Sequence, residues 1–343
     1  MPHPLSGQRV AVVMMSSIGD VVNALPVAVS LKHAAPGVQL SWVIQPDVYP
    51  LIAEHPAIDD FLFFHRKEGW RAFPRFLRES RGREFDLVLD PHVYFKAGVV
   101  TGILRAPRKV GLNRARAPDL NWLFTNEKLP PRPVGHILDQ QLEFVEYLGV
   151  PARIEWQVGP TAEECARYAG LLPTGGGPVV AICLASSRLA KDWPAERYAE
   201  LAGRVHAELG GSIVVVGAPS AAEEAAMAVV RRKAAHPPLD LRAWDLRRLV
   251  YLLNRADVVV SPDSAALHLG VAVGTPTVAL MGYTNPKRVG PIRFRELLVD
   301  GYGEPGENYP ADAGYRPGRM ERVSVDQVLA KVALAIDPPS RTG

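Results

Sequence analysis

Short apolar runs alternate with longer amphipathic stretches along almost the whole chain. The short runs predict buried strands, and the stretches between them, which carry apolar residues at helical spacing, predict helices. Strands that alternate with helices are typical of a parallel sheet covered by helices on both faces. The predicted fold class is therefore α/β, with two Rossmann-like, doubly wound lobes.

Each half of the chain repeats this pattern. In the first half the predicted strands are 9–15, 40–44, 61–64, 86–89 and 108–112, and the predicted helices are 20–35, 67–81, 96–104 and 136–148. In the second half the predicted strands include 178–184, 212–216 and 239–241, and the predicted helices include 194–209, 221–235, 245–255 and 324–336. A further strand runs into a Pro-Asp-Ser turn at 262–264, a helix of small residues follows, and another strand begins after 274–276.

Length and composition support two domains. The chain has 343 residues, of which 48% are hydrophobic. This length is greater than a single hydrophobic core usually supports. We expect an N-terminal lobe over 1–155, a C-terminal lobe over 156–322, and a final helix with a polar tail over 323–343. Because open α/β sheets bind ligands beyond the carboxyl ends of their strands, the loops there are the places to search.

The net charge is small, but the basic residues are unevenly distributed along the chain. A net charge of +3 does not favour a nucleic-acid partner. Basic residues nevertheless concentrate before residue 135, which indicates either an anionic partner or a solvated basic surface: Arg105, Arg108, Lys109, Arg114, Arg116 and Arg132.

Cysteine usage and hydropathy favour the cytoplasm. Cys165 and Cys183 have no metal-ligand spacing, and two cysteines do not make a disulfide framework. Residues 1–8 lack the regions of a signal peptide, and polar residues and a proline interrupt the apolar stretch 265–282. We therefore expect no transmembrane segment.

The turn at 262–264 is the first candidate binding site. Asp263 is placed to cap the following helix, while the backbone amides of 264–266 face the space beyond the strand, an arrangement suited to phosphate. His268, about one helical turn further on, would present its ring to the same opening. Helix starts after strands are common, however, and most bind nothing.

Two other loops support the prediction that the chain binds a ligand. In 184–194, Ser186, Ser187 and Lys191 precede a predicted helix, and two hydroxyls with a compact cation suit a diphosphate. The loop after the first strand lacks the G-x-G-x-x-G fingerprint, which disfavours a dehydrogenase. There Asp20 is either a carboxylate that stabilises a helix start or a general base for an attacking hydroxyl.

In this order, several segments resemble the heptosyltransferase-type glycosyltransferases of family 9. They are 16–20 with Leu25-Pro26, 86–90, 190–194, 217–219, and 263–268 with 274–276. The resemblance covers nearly the whole chain. It implies a GT-B fold with two lobes facing a central cleft, an inverting reaction without metal or cofactor, the nucleotide sugar ADP-L-glycero-D-manno-heptose as donor, and a lipopolysaccharide inner-core acceptor.

The resemblance also assigns roles: it implies that the N-terminal lobe binds the acceptor and the C-terminal lobe binds the nucleotide sugar. Asp20 matches the catalytic base. The donor-binding positions are Ser186, Ser187 and Lys191 for the diphosphate, Asp263, Ser264 and Ala265 in the donor-binding turn with His268 nearby, and Glu223 for the ribose, with Glu224 an equal candidate. On the acceptor side we place Ser17, Gly19, Lys96, Arg114 and Arg116.

The partner implied is an anionic glycolipid at the cytoplasmic face of the inner membrane, so a cytoplasmic or peripheral membrane location is expected. The chain departs from the family pattern in having serines at 186 and 187, where a threonine pair is familiar, and Ala265, where glycine is frequent. The segment 90–96 matches the acceptor-side pattern only in part. Two alternatives stay open: a nucleotide-sugar epimerase of similar fold, and a non-catalytic nucleotide-sugar-binding protein.

Overall fold

A computed structural model describes residues 4–338 of the chain. The chain divides into two compact units between Gln157 and Val158, and each contains its own six-stranded sheet. The polar tail expected after the last helix lies mostly outside the described residues. Within residues 4–338, no helix is both long enough and apolar enough to cross a bilayer.

The first unit is a parallel sheet flanked by helices. Its strands are β1 (Arg9–Val13), β2 (Gln39–Ile44), β3 (Asp60–Phe63), β4 (Leu87–Asp90), β5 (Arg108–Gly111) and β6 (Glu127–Lys128), in the order β3-β2-β1-β4-β5-β6. Its helices are α1 (Ile18–Ala34), α2 (Ala72–Glu79), α3 (Phe95–Ile103) and α4 (Ile137–Tyr147). The strand order reverses between β1 and β4, so the loops that follow these two strands meet at one place on the sheet edge.

The second unit repeats this topology. Its strands are β7 (Val179–Ile182), β8 (Ser212–Val215), β9 (Leu239–Asp240), β10 (Val258–Pro262), β11 (Thr277–Met281) and β12 (Leu298–Asp300), in the order β12-β11-β10-β7-β8-β9. Its helices are α5 (Ala162–Arg167), α6 (Ala195–Leu209), α7 (Ala221–Lys233), α8 (Leu246–Arg255), α9 (Ala265–Val273), α10 (Pro286–Val289) and α11 (Val325–Ile336). Here the order reverses between β7 and β10.

Burial explains why these segments are strands. All residues of β4, β7, β10 and β11 are buried, as expected for parallel strands that are covered on both faces. The small residues of α9 let the helix lie close to its sheet at Gly270, where a Cβ atom would lie 2.7 Å from Thr277 Oγ1 and 3.3 Å from Val259 Cγ2. A larger residue at this position would push the helix, and the loop before it, away from the sheet.

Candidate functional site

In the first unit, polar groups gather where β1 and β4 end. Ser17 is the N-cap of α1, and Asp20 lies in the first turn of that helix. The Oδ2 atom of Asp20 accepts hydrogen bonds from both the backbone N–H and the hydroxyl of Ser17, each at 2.9 Å. Its Oδ1 atom accepts none from the rest of residues 4–338, and the side chain is only half-buried. Asp20 therefore caps the helix with one oxygen and has the other available for a substrate.

A histidine that the sequence did not single out supports this loop. His92 is buried, and its Nε2 atom accepts a hydrogen bond from the backbone N–H of Met15 at 3.1 Å. Burial lowers the pKa of His92, although the negative charges of Asp90 and Asp20 oppose this effect. The neutral ring thus holds the chain just before Ser17. The signal in the sequence was a polar pair, Asp90 and His92, at the end of an apolar strand.

Asp90 is the anchor of this cluster. It is fully buried, and it accepts hydrogen bonds from the Thr101 hydroxyl at 2.7 Å, the Asn121 side-chain amide at 2.9 Å and the His92 backbone N–H at 3.1 Å. Burial raises the pKa of Asp90, while the nearby His92 and these hydrogen bonds lower it. The carboxyl group ties β4 to α3 and to the segment that follows β5, and so fixes the position of His92.

The basic residues predicted on the acceptor side divide into two groups. Lys96 and Arg114 are exposed, and each lies over an indole ring, Lys96 over Trp70 at 5.9 Å and Arg114 over Trp122 at 5.5 Å from the ring centres. Arg116 instead makes a two-pronged ion pair with Glu143 on α4, at 2.5 and 3.0 Å, and its side chain is only 7% exposed. Arg116 is thus engaged within the first unit, and its position offers little charge to an acceptor.

In the second unit, the centre of the site is a triad of charged and polar side chains. Lys191 Nζ lies 2.6 Å from Asp263 Oδ2, and His268 Nε2 lies 3.5 Å from Asp263 Oδ1. The side chains of Lys191 and Asp263 are only 16% and 10% exposed. Burial alone would raise the pKa of Asp263, but the hydrogen bond from His268 and the charge of Lys191 outweigh it and hold that pKa below its usual range.

The helix start differs from the sequence prediction in one respect. Ser264, not Asp263, is the N-cap of α9, and its hydroxyl accepts from the backbone N–H of Ala266 at 3.2 Å. Asp263 does not cap the helix because its two oxygens face Lys191 and His268. The amides of Ser264 and Ala265 find no acceptor in the described part of the chain, so two of the three predicted amides remain available.

The two serines of the loop after β7 have different environments. The Ser186 hydroxyl donates to the carbonyl of Arg188 at 2.9 Å and accepts from the N–H of the same residue at 3.2 Å. The Ser186 backbone N–H donates to Asp192 at 2.7 Å. Ser187 is exposed and makes no hydrogen bond within residues 4–338. Ser186 therefore shapes the turn, and Ser187 has the free hydroxyl.

Beneath this loop lies a buried carboxyl group. Glu223 is 4% exposed, and its Oε1 atom accepts from the Ala185 N–H at 3.2 Å and lies 3.6 Å from Cys183 Sγ, while its Oε2 atom has no partner among the described residues. Burial raises the pKa of Glu223 to about 7, and that of Cys183 to about 12. The neighbouring Glu224 is exposed and lies 3.3 Å from Arg242.

These residues form a polar network that connects three loops of the second unit. Cys183 Sγ lies 3.5 Å from the Ser264 hydroxyl, which in turn lies 2.8 Å from the Ser261 hydroxyl. Gly217, at φ 121°, allows the turn after β8 to approach, because a Cβ there would lie 3.2 Å from Glu223 Oε1. Within residues 4–338 no group of three His, Cys, Asp or Glu side chains is arranged to hold a metal ion.

A family model and a curated relative both match this chain, and both belong to the heptosyltransferases. The model of glycosyltransferase family 9 (heptosyltransferase) matches residues 73–303, more than half of the chain. The lipopolysaccharide core heptosyltransferase OpsX of Haemophilus influenzae is 26% identical over 299 residues, which are 87% of this chain and 85% of OpsX.

Two solved structures share the fold. The family 9 glycosyl transferase of Veillonella parvula has a TM-score of 0.82 at 21% identity, over 98% of this chain and 99% of that chain. E. coli heptosyltransferase WaaC with ADP-2-deoxy-2-fluoro heptose has a TM-score of 0.72 at 22% identity, over 95% of this chain and 99% of that chain. The predicted fold class, GT-B with two Rossmann-like units, is confirmed.

Proposed function

Because the chain belongs to glycosyltransferase family 9, the heptosyltransferase family, we propose that this glycosyltransferase moves a heptose from ADP-L-glycero-D-manno-heptose to the inner core of lipopolysaccharide. OpsX, similar over most of both chains, is named for lipopolysaccharide core heptose transfer. WaaC, which shares the fold, was solved with a fluorinated ADP-heptose. The acceptor is then an anionic glycolipid at the cytoplasmic face of the inner membrane.

The observation that carries the chemical proposal is the free oxygen of Asp20. Its Oδ2 atom holds the helix start, and its Oδ1 atom is unused within residues 4–338. A carboxylate oxygen that is fixed in place and open to a ligand is suited to accept the proton of an attacking hydroxyl. We assign Asp20 this role in a direct displacement at the anomeric carbon, with the diphosphate leaving from the opposite face and the configuration inverted.

The second unit supplies the groups for the leaving diphosphate. Lys191 provides a cation, Ser187 a free hydroxyl, and the start of α9 the unpaired amides of Ser264 and Ala265. Donors that are already in position stabilise developing negative charge without reorganisation. Asp263, whose other oxygen faces His268, holds the Lys191 ammonium in place. With this much stabilisation from the protein, the reaction needs no metal, and EDTA is expected to leave the rate unchanged.

The hydrogen-bond partners of the two carboxylates favour Glu223 over Glu224 as the residue that binds the ribose. The Oε2 atom of Glu223 is buried and has no donor among the described residues, which is unfavourable unless a ligand supplies one. The carboxylate of Glu224 is on the surface and pairs with Arg242. A ribose hydroxyl would complete the hydrogen bonding of Glu223, so Glu223→Gln should weaken ADP binding more than Glu224→Gln.

On the acceptor side we retain four residues and reinterpret the fifth. Ser17 and Gly19 shortly precede Asp20 in the chain and would contact the incoming hydroxyl, while the exposed cations of Lys96 and Arg114 would attract an acidic sugar or phosphate. Arg116 has a positioning role, since its charge is already paired with Glu143. Lys96→Ala and Arg114→Ala should raise KM for the acceptor with little change in donor affinity.

The test compares donors by titration calorimetry and then by turnover. We expect ADP-heptose to bind and UDP-N-acetylglucosamine not to bind, with Lys191→Ala reducing the first and Lys233→Ala, an exposed lysine in the same unit, leaving it unchanged. Turnover should require a heptose-deficient lipopolysaccharide acceptor. Conversion of a donor sugar without acceptor would support an epimerase instead, and binding without turnover across acceptors would support a non-catalytic protein.

A further inference from the structure

The outward side of the segment around α2 combines exposed apolar and basic side chains. Phe76 and Ala72 are buried in the core of the first unit, and Phe73 packs against the same core. On the opposite side Trp70 is 70% exposed and Leu77 is 52% exposed. We call this side the α2 outer face; its members are Trp70, Arg71, Pro74, Leu77, Arg78 and Arg81, all exposed.

The exposed apolar and basic residues occur in pairs along this segment. Trp70 and Arg71 end the 3-10 turn that leads into α2, and Leu77 and Arg78 lie within α2. Arg81 extends the face beyond the end of α2. Each exposed apolar side chain is therefore followed in the chain by an exposed arginine.

The charges of this face are not compensated inside the protein. The acids of the same segment, Glu68 and Glu79, both pair with Arg75, the latter at 2.8 Å. Arg71, Arg78 and Arg81 have no acidic group within 4 Å in the described part of the chain. Three free cations therefore accompany two large exposed apolar side chains, although the whole chain carries a net charge of only +3.

We propose that the α2 outer face binds the surface of an anionic lipid bilayer, with Trp70 and Leu77 seated among the headgroups and the arginines paired with lipid phosphates. Tryptophan and leucine beside basic residues are the composition of helices that lie in a membrane interface. A nucleic acid or an acidic protein would use the arginines but would not need the exposed leucine. This docking surface goes beyond the proposed transfer reaction and does not depend on it.

The test measures binding of the full chain to vesicles by flotation, without donor or acceptor. We expect binding to phosphatidylcholine vesicles that contain phosphatidylglycerol, a decrease with salt, and little binding to phosphatidylcholine alone. Each basic residue near an anionic surface contributes roughly a fivefold gain, so R71A/R78A/R81A should lose about 100-fold in partition coefficient. W70A/L77A should also lose binding to these vesicles.

Matched variants and a soluble polyanion separate the interpretations. Trp244 is 77% exposed and lies in the second unit, and Arg232 is an exposed arginine with no ion pair in residues 4–338, so W244A and R232A should bind like the wild type. W70A/L77A should retain binding to heparin, which offers charge without an apolar phase. Thermal unfolding of each variant checks that it is folded.

Three results would overturn the proposal. The first is a wild-type chain that does not bind the anionic vesicles. The second is equal vesicle binding by the wild type, R71A/R78A/R81A and W70A/L77A. The third is W70A/L77A with unchanged vesicle affinity, which would make the face a general polyanion site. Donor binding measured on the same samples keeps a failure of this proposal distinct from a failure of the proposed function.

Discussion

The Lys191 ammonium lies 2.6 Å from the Asp263 carboxylate, and both side chains are largely buried. The two residues come from different loops, after β7 and after β10, so their ion pair joins the two loops that we assign to the donor diphosphate. The lysine is therefore held in position before any ligand arrives, at the cost of sharing its charge with a carboxylate.

Replacing this lysine should affect both binding and stability. Lys191→Met removes the cation and leaves Asp263 with His268 as its remaining close partner, so we expect donor affinity to fall at least about tenfold and the free energy of unfolding to fall by roughly 1–3 kcal/mol. Calorimetry and urea unfolding measure the two effects. Lys233→Met is the control, because Lys233 forms an exposed pair with Glu196 at 3.2 Å. Unchanged donor affinity in Lys191→Met would remove this residue from the diphosphate site.

Asp20→Asn tests the base while keeping the helix cap. The asparagine side-chain oxygen can still accept from the N–H and hydroxyl of Ser17, so α1 should begin at the same residue, but an amide cannot take up a proton. We expect kcat to fall about 10²–10⁴-fold, with donor affinity and unfolding free energy close to those of the wild type. Ser17→Ala is the companion variant, since it weakens the cap and leaves the carboxylate. Turnover by Asp20→Asn near the wild-type rate would assign the proton to another group.

Glu223 should make stability depend on pH between about 4.5 and 7. Its pKa is raised to about 7 in the folded protein from an ordinary value of 4.5. The folded state therefore retains a proton that the unfolded chain releases, and the resulting stability is fully present below pH 4.5 and lost as pH rises through 7. The wild type should lose roughly 3 kcal/mol relative to Glu223→Gln over this range.

Denaturant unfolding at several pH values, with the wild type and Glu223→Gln compared at each, isolates this effect because other titrating groups cancel. Glu224→Gln, one residue away and exposed, controls for the loss of a carboxylate. A constant difference between the wild type and Glu223→Gln from pH 4.5 to 7.5 would show that the carboxyl group titrates normally.

How far the sequence alone predicted this protein can be judged from particular elements. Buried strands such as β10 and β11 are continuous apolar runs, and the structure confirms the predicted end of β10 at the 262–264 turn and the predicted start of β11 after 274–276. The two-residue strand β6 (Glu127–Lys128) was not predicted because it has no apolar pattern and forms only by pairing with β5. A strand of this kind is defined by its neighbour and not by its own residues.

The site shows the same division. The loops that carry Asp20, Lys191 and Asp263 were predicted, because position after a strand follows from local pattern. The ion pair of Arg116 was not predicted, because its partner Glu143 is 27 residues away in the chain. The helix cap was predicted at Asp263 and is at Ser264. Both residue types are good helix caps, so the sequence cannot choose between adjacent ones. The choice follows from the contacts of Asp263 with Lys191 and His268.

His92 supports the loop that leads to Asp20 through one hydrogen bond, and its variants should separate this role from simple packing. His92→Ala would leave the buried N–H of Met15 without its acceptor, a change that costs roughly 1–3 kcal/mol of stability, and would loosen the chain that leads to Ser17 and Asp20. We expect kcat to fall and donor affinity to stay constant. His92→Gln, whose amide oxygen can accept the same bond, should restore most of the rate.

The pH profile provides a further readout. Because burial lowers the pKa of His92, the unfolded chain binds a proton below about pH 6.5 that the folded protein resists. Wild-type stability should therefore fall as pH decreases below 6.5, and His92→Gln should lose this dependence. His92→Gln could instead have a kcat as low as that of His92→Ala while being as stable as the wild type. The ring would then act on the reaction by a route other than the Met15 hydrogen bond.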